Sequence, residues 1–179
     1  MIELIKNRLD MHLCVPSNST IAEIGVKEGS FFKHLLKTIK PQKAYAIDCW
    51  DLFKIKSQND SDTSVSDLIE MKKRFVSKYK KNSKVIIIND FSDVASQQIE
   101  NESLDFAYLD ADHSYDGCKK DLECWYPKIK KNGILAGHDY ANVTTPNGVE
   151  FNVIKAVNEF FNNIHITTEQ YPTWIVRKN

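Results

Sequence analysis

Residues 104–117 read Leu104-Asp105-Phe106-Ala107-Tyr108-Leu109-Asp110-Ala111-Asp112-His113-Ser114-Tyr115-Asp116-Gly117. The first six are mostly apolar and read as a strand. Asp110 to His113 then place two carboxylates and an imidazole directly after it. Beyond it, Tyr115, Cys118, Leu122 and Trp125 recur at helical spacing, which predicts a helix over 115–126. A strand passing through a short turn into a helix is the repeating unit of a parallel α/β sheet.

The same unit recurs on both sides. Upstream, strands are expected at Thr20–Gly25, Lys43–Asp48 and Lys84–Ile88, with helices at Ile2–His12, Ser30–Ile39, Asp62–Tyr79 and Phe91–Glu100. The run Val85-Ile86-Ile87-Ile88 lacks alternation, as expected of a strand covered on both faces. Downstream, Asn132-Gly133 reads as a turn before a strand at Ile134–Gly137, followed by a helix at Phe151–Phe161. Strands at Ile164–Thr168 and Thr173–Arg177 would be joined by a tight turn near Tyr171-Pro172 and so must be antiparallel. The expected fold is a doubly wound, Rossmann-like α/β sheet of seven strands, mostly parallel, with an antiparallel last strand. The 179 residues are expected to form a single domain, with 1–17 an N-terminal helical segment.

Hydrophobic residues make up 42% and charged residues 27%, an ordinary globular mixture. The formal net charge is +0, which lacks the basic surplus expected of a nucleic-acid binder. No apolar run approaches the roughly 20 residues of a membrane span, and the N-terminus lacks the apolar core of a secretion signal. Cys14, Cys49, Cys118 and Cys124 are scattered, as in a reduced, cytoplasmic protein, and read as small core residues. The expected partner is a small-molecule acceptor rather than nucleic acid or membrane. Oligomeric state is not encoded legibly, and a homodimer is compatible with the sequence.

Ligands of open α/β sheets bind outside the carboxyl ends of the strands, and the unusual residues fall there. After the first strand comes Glu23-Ile24-Gly25-Val26-Lys27-Glu28-Gly29-Ser30, a glycine turn opening a helix whose free N–H groups suit an anionic group. The dinucleotide pattern Gly-x-Gly-x-x-Gly is absent because Lys27 takes the middle position. Asp48 ends the second strand, where a carboxylate can accept the hydroxyls of a ribose, and Trp50 is either an adenine-stacking residue or a core aromatic. After the third strand, Asp90 can accept from an adenine amino group with Phe91 packed on the ring, or the segment is a helix cap supplied by Ser92.

Strands four and five, as neighbours, would bring Asp110, Asp112, His113, His138 and Asp139 into one mouth. Asp110 and Asp139, with His138 as a further donor, suit magnesium or manganese, the imidazole favouring manganese or iron. His113 suits proton removal from a hydroxyl. Asp112 can share that task, orient His113, or cap the next helix together with Ser114.

Glu23-x-Gly25-x-x-x-Gly29, Asp48, Asp110-Ala-Asp-His-Ser-Tyr-Asp-Gly117 and Gly133-Ile-Leu-Ala-Gly-His-Asp-Tyr140 together resemble class I S-adenosylmethionine-dependent methyltransferases. The resemblance spans residues 18–165 and is strongest to small-molecule O-methyltransferases of the macrocin-type sugar branch. It implies that Glu23, Gly25 and Gly29 surround the methionine part of S-adenosylmethionine, and Ser30 at the helix start is counted with them as a cofactor contact. It places Asp48 at the ribose and Asp90 at the adenine; Trp50 and Phe91 are the aromatic candidates beside them, and Asp110 is counted with the cofactor contacts. It also implies Asp110, His138 and Asp139 as ligands of Mg2+ or Mn2+, with His113 as the base. Residues 49–61 and 140–150 are left to shape the acceptor pocket. Lys27 departs from the family's first glycine pattern, and His138 stands where many metal-dependent relatives carry an acid. An N-methyltransferase, a hydroxylase-like enzyme on the same scaffold and a non-catalytic cofactor-binding module are the alternatives. A nicotinamide-dependent oxidoreductase is disfavoured by the missing phosphate-binding glycines.

Overall fold

The computed structural model describes residues 2–50, 63–144, 148 and 150–179. Strands β1 (Thr20–Ile24), β2 (Lys43–Ile47), β3 (Val85–Ile88), β4 (Leu104–Leu109), β5 (Ile129–Gly137), β8 (His165–Ile166) and β9 (Trp174–Arg177) form one sheet in the order β3-β2-β1-β4-β5-β9-β8. The first five are parallel, whereas β9 runs antiparallel to both β5 and β8. This is the seven-stranded doubly wound sheet expected from the sequence. A separate antiparallel pair, β6 (Asn142–Thr144) and β7 (Glu150–Asn152), follows β5.

The two-residue alternation of each strand divides the core in two. Phe106 and Tyr108 of β4 face a cluster holding Phe31, Phe32 and Leu35 of α1 (Ser30–Ile39) and Phe75 of α2 (Val65–Tyr79). Ala107 and Leu109 face a cluster holding Leu122 and Trp125 of α4 (Tyr115–Trp125) and Val157 of α5 (Val153–Phe160). Between β3 and β4 lies the short α3 (Ser92–Ser96). Cys14 and Cys118 are core residues, their thiols pushed by burial to about 11 and about 12. Among the described residues, no helix is long and apolar enough to cross a membrane.

Several expectations need correction. The N-terminal segment is not one helix but two 3-10 turns, Ile2–Leu4 and Arg8–Leu13. Asn7 breaks it: its side chain accepts from the Leu9 N–H at 2.9 Å, and its own N–H donates to Asp10 at 3.2 Å, so local side-chain bonds replace helical ones. The run at 85–88 is an edge strand, with Ile86 37% exposed, rather than a strand covered on both faces. Asn132-Gly133 lies within β5 rather than before it; Asn132 takes φ 64°, and the pairing of β4 with β5 shifts register there. The helix expected from Phe91 ends at Ser96, and α5 begins only at Val153 because Phe151 and Asn152 belong to β7. The β8–β9 connection spans 167–173, longer than a tight turn, and is closed by Thr167 and Thr173. Of the two expected acceptor loops, residues 51–61 of the first and 145–147 and 149 of the second lie outside the described residues.

Candidate active site

A cavity of about 740 Å3 opens at the carboxyl ends of β1, β2, β3, β4 and β5, around the point where β1 separates the two halves of the sheet. It is lined by Glu23, Gly25, Ser30, Asp48, Trp50, Asp90, Phe91, Asp110, Asp112, His113, His138 and Asp139. Of the residues expected at a site, only Gly29 is missing from the lining. Its positive φ of 82° lets it start α1, and a Cβ there would come 2.5 Å from the Phe75 ring, so its task is packing.

Gly25 is required for a related reason. At φ 90°, a Cβ on it would fall 1.9 Å from the backbone oxygen of Asp110. This glycine therefore allows a close approach to the end of β4, holding the two strand ends against each other while it lines the cavity. Lys27, where the family pattern has glycine, adopts the left-handed region at φ 52°. Its N–H donates to Asp48 Oδ2 at 2.6 Å. Burial pushes the Asp48 carboxyl up to about 6, against the hydrogen bonds from the Lys27 and Val26 backbone. Trp50 is 2% exposed, tilted against Phe75 at 5.6 Å, with its indole N–H on the Lys27 carbonyl at 2.8 Å. The core reading of Trp50 is the one its packing supports.

Glu23 lies on the same face of β1 as Ile21, one strand from Asp110, and is 2% exposed. Among the described residues, its Oε2 has no hydrogen-bond partner. Burial first, and then the nearby Asp110 carboxylate, raise its pKa well above the ordinary glutamate value. A buried carboxyl without a partner, aimed at a cavity, is a place for a cationic or donor-bearing ligand.

At the other end, four side chains meet. His113 Nε2 is 3.4 Å from Asp110 Oδ1 and 3.3 Å from Asp139 Oδ2. His138 Nδ1 is 3.7 Å from Asp110 Oδ1 and 3.3 Å from Asp139 Oδ1. Burial would raise the Asp139 carboxyl, but the His138 hydrogen bond and the charges of His138, His113 and Arg8 together hold it below the usual aspartate value. Asp139 also has φ 49°, a left-handed conformation that costs a non-glycine residue about 1–2 kcal/mol. Among the described residues, the donor atoms that gather within 4.8 Å belong to Asp110, His113 and Asp139. His138, expected as the third ligand, lies beside the same two aspartates but outside this group, whereas His113, expected as the base, lies within it. Asp112 does what the capping alternative stated. Its Oδ1 accepts the Ser114 N–H at 2.9 Å, and Ser114 in turn caps α4 through the Gly117 N–H at 3.1 Å. Asp90 likewise accepts the Phe91 N–H at 2.9 Å while lining the cavity.

Three further lining residues carry interactions that the sequence reading missed. Arg8 reaches in from the N-terminal segment, its Nη1 3.5 Å from Asp110 Oδ2 and its guanidinium 5.3 Å above the Phe31 ring. Nothing in the local sequence marks it. Phe151 of β7 stacks on His113 at 4.6 Å and 14°, and the adjacent Asn152 N–H donates to the His113 carbonyl. Asp121 of α4 is 6% exposed, its carboxyl pushed by burial to about 7 despite a hydrogen bond from Ser92. Its signal was legible: it falls on the apolar stripe of Cys118, Leu122 and Trp125.

Residues 22–140, more than half of the chain, match the family model described as a methyltransferase domain. The chain belongs to this methyltransferase family. No curated protein sequence matches it significantly. Solved structures resembling this methyltransferase domain include a protein from Streptococcus mutans, described as a candidate methyltransferase in complex with SAH. It has 13% identity and a TM-score of 0.63, with 97% of this chain and 99% of that one covered. An rRNA methylase from Streptococcus thermophilus has 12% identity and a TM-score of 0.62, with coverage of 95% and 93%. An O-methyltransferase family protein from Burkholderia thailandensis has 11% identity and a TM-score of 0.63 over 90% of this chain; the match spans only 51% of that protein's length. At these identities the likeness is one of fold.

Proposed function

We propose that the chain is an S-adenosylmethionine-dependent methyltransferase that methylates a hydroxyl of a small polar molecule, with sugars the class to try first. The observation that carries the cofactor is the pairing of the unpartnered, buried Glu23 carboxyl with Asp48 in one cavity of about 740 Å3. That volume suits a nucleoside joined to an amino acid. Acidic side chains far outnumber the basic Arg8, Lys27 and Lys120 along its wall, which favours a sulfonium cation over a pyrophosphate.

Bound S-adenosylmethionine supplies an electrophilic methyl group whose C–S bond breaks as a C–O bond forms, the bond's electron pair staying on sulfur. The chain's own residues do the rest. Asp48 offers acceptor oxygens to the ribose, Asp90 and Phe91 offer a polar edge and an apolar face to the base, and Glu23 faces the amino-acid end. His113 takes the acceptor's proton. Its position between Asp110 and Asp139 favours the imidazolium it becomes, and the Phe151 ring fixes its plane. Alignment of nucleophile and methyl group by these walls supplies much of the rate.

A second reading rests on the convergence of Asp110, His113 and Asp139. These three would hold Mg2+ or Mn2+, which as a Lewis acid would lower the pKa of the acceptor hydroxyl. His113 cannot then be the base. Labelled-methyl transfer to sugars, catechols and amines, with and without EDTA, separates the readings. Activity on hydroxyls that persists in EDTA and is lost in His113→Ala supports the base. Activity lost in EDTA and restored by manganese supports the cation. Transfer to amines alone overturns O-methylation.

A further inference from the structure

We propose that Arg8 receives the carboxylate at the amino-acid end of the cofactor, making the N-terminal segment part of the cofactor site. This rests on the S-adenosylmethionine reading given above.

An α-amino acid presents an ammonium and a carboxylate a few ångströms apart, so its receptor needs both signs of charge side by side. One corner of the cavity has that composition. Glu23 from β1 and Asp110 from β4 supply the negative side; Arg8, close enough to pull against the rise in the Glu23 pKa, supplies the positive side. The Glu23 carboxyl is buried and its Oε2 lacks a partner among the described residues, so it points to a ligand by itself. The other basic residues lining the cavity are less suited. Lys120 is 2.6 Å from Asp93, and Lys27 lies exposed on the turn after β1.

The guanidinium is held where a carboxylate would be expected. It lies over Phe31, the second residue of α1, whose first turn opens at Ser30 on the cavity wall. A carboxylate there meets the free N–H groups of the helix start together with a planar fork of donors. The backbone behind Arg8 is fixed. Its N–H donates to Glu169 Oε1 at 2.8 Å, and Glu169 also accepts from Thr167 and Thr173. His34 bonds the Leu9 carbonyl at 2.8 Å, tying the same turn to α1. The side chain itself is only lightly committed. Its 3.5 Å contact with Asp110 is long for an ion pair, and 34% of it remains accessible. Exchange of Asp110 for the ligand's carboxylate would leave Asp110 free to meet the ammonium.

The test is calorimetric titration with S-adenosylhomocysteine and with its decarboxylated analogue, which keeps the amine and the nucleoside. In Arg8→Met, which preserves the aliphatic stem over Phe31, affinity for S-adenosylhomocysteine should fall about 10- to 100-fold, the range of a charge-assisted hydrogen bond. Affinity for the decarboxylated analogue should stay within about 3-fold, which also shows that the variant folds. Arg8→Lys should fall between wild type and Arg8→Met. Equal losses for both ligands, or no loss for either, overturn the inference. So does an unchanged S-adenosylhomocysteine affinity with a raised KM for a carboxylate-bearing acceptor, which would assign Arg8 to the acceptor. Wild type that binds neither ligand overturns the cofactor reading itself.

Discussion

Replacing Asp121 by Asn is expected to stabilise the ligand-free protein by an amount set by pH. The Asp121 carboxyl moves from 3.8 to about 7 on folding because it is buried against α3 and the wall of the cavity. Asp112 and Asp93 push in the same direction; the Ser92 hydroxyl and His113 push against it. Since the folded value is raised, the carboxyl favours the fold fully below about pH 4, and that contribution is lost as pH rises through 7. Each unit is worth about 1.4 kcal/mol, so the deficit at pH 8 is on the order of 4 kcal/mol. Asn has nothing to ionise and still offers Ser92 an acceptor. For a chain of this length, about 3 °C per kcal/mol puts the gain in Tm near 10 °C at pH 8 and within about 2 °C of zero at pH 4. Differential scanning calorimetry of both proteins at the two pH values measures this. An equal Tm difference at pH 4 and pH 8, or a less stable variant at pH 8, refutes the reasoning.

Gly25→Ala sets a Cβ against the Asp110 carbonyl at a positive φ, so a loss of about 3 kcal/mol or more is expected, read as a fall in the urea midpoint. Lys27→Gly relieves a left-handed residue and should leave Tm unchanged or up to about 3 °C higher, whereas Lys27→Val should lower it. A large drop for the glycine variant would contradict the backbone account. Phe151→Ala removes the ring stacked on His113; kcat should fall about 10-fold or more while S-adenosylhomocysteine affinity in calorimetry is unchanged. Asp48→Asn leaves the ribose with a weaker acceptor and should weaken that affinity about 10-fold, with no loss of Tm at pH 8, where the buried Asp48 charge is itself a cost.

The sheet was legible because its signals are local and repeated. β4 and α1 have the limits read from the sequence: a run of apolar residues stops at Asp110, and Gly29 and Pro41 bracket residues 30–39. The strand-end rule then brought twelve of the thirteen expected site residues to one cavity. Side-chain direction was less accessible. Sequence spacing places His113 and His138 beside the same two aspartates, but only the fold shows which imidazole completes a compact donor set with them. Arg8 was hidden for a different reason: its partner Asp110 lies 102 positions away, and the 3-10 turn that aims it depends on Asn7 and Glu169. The antiparallel pair carrying Phe151 has strands of only three residues, too short for any hydrophobic period to show.

The proposed function requires that the cavity at the strand ends take S-adenosylmethionine. Calorimetric titration of the purified protein with S-adenosylhomocysteine, beside a parallel titration with NAD, tests it most directly. Saturable binding of S-adenosylhomocysteine at one site per chain, weakened in Asp48→Asn, is expected, with no binding of NAD. Binding of NAD with no response to S-adenosylhomocysteine would contradict it.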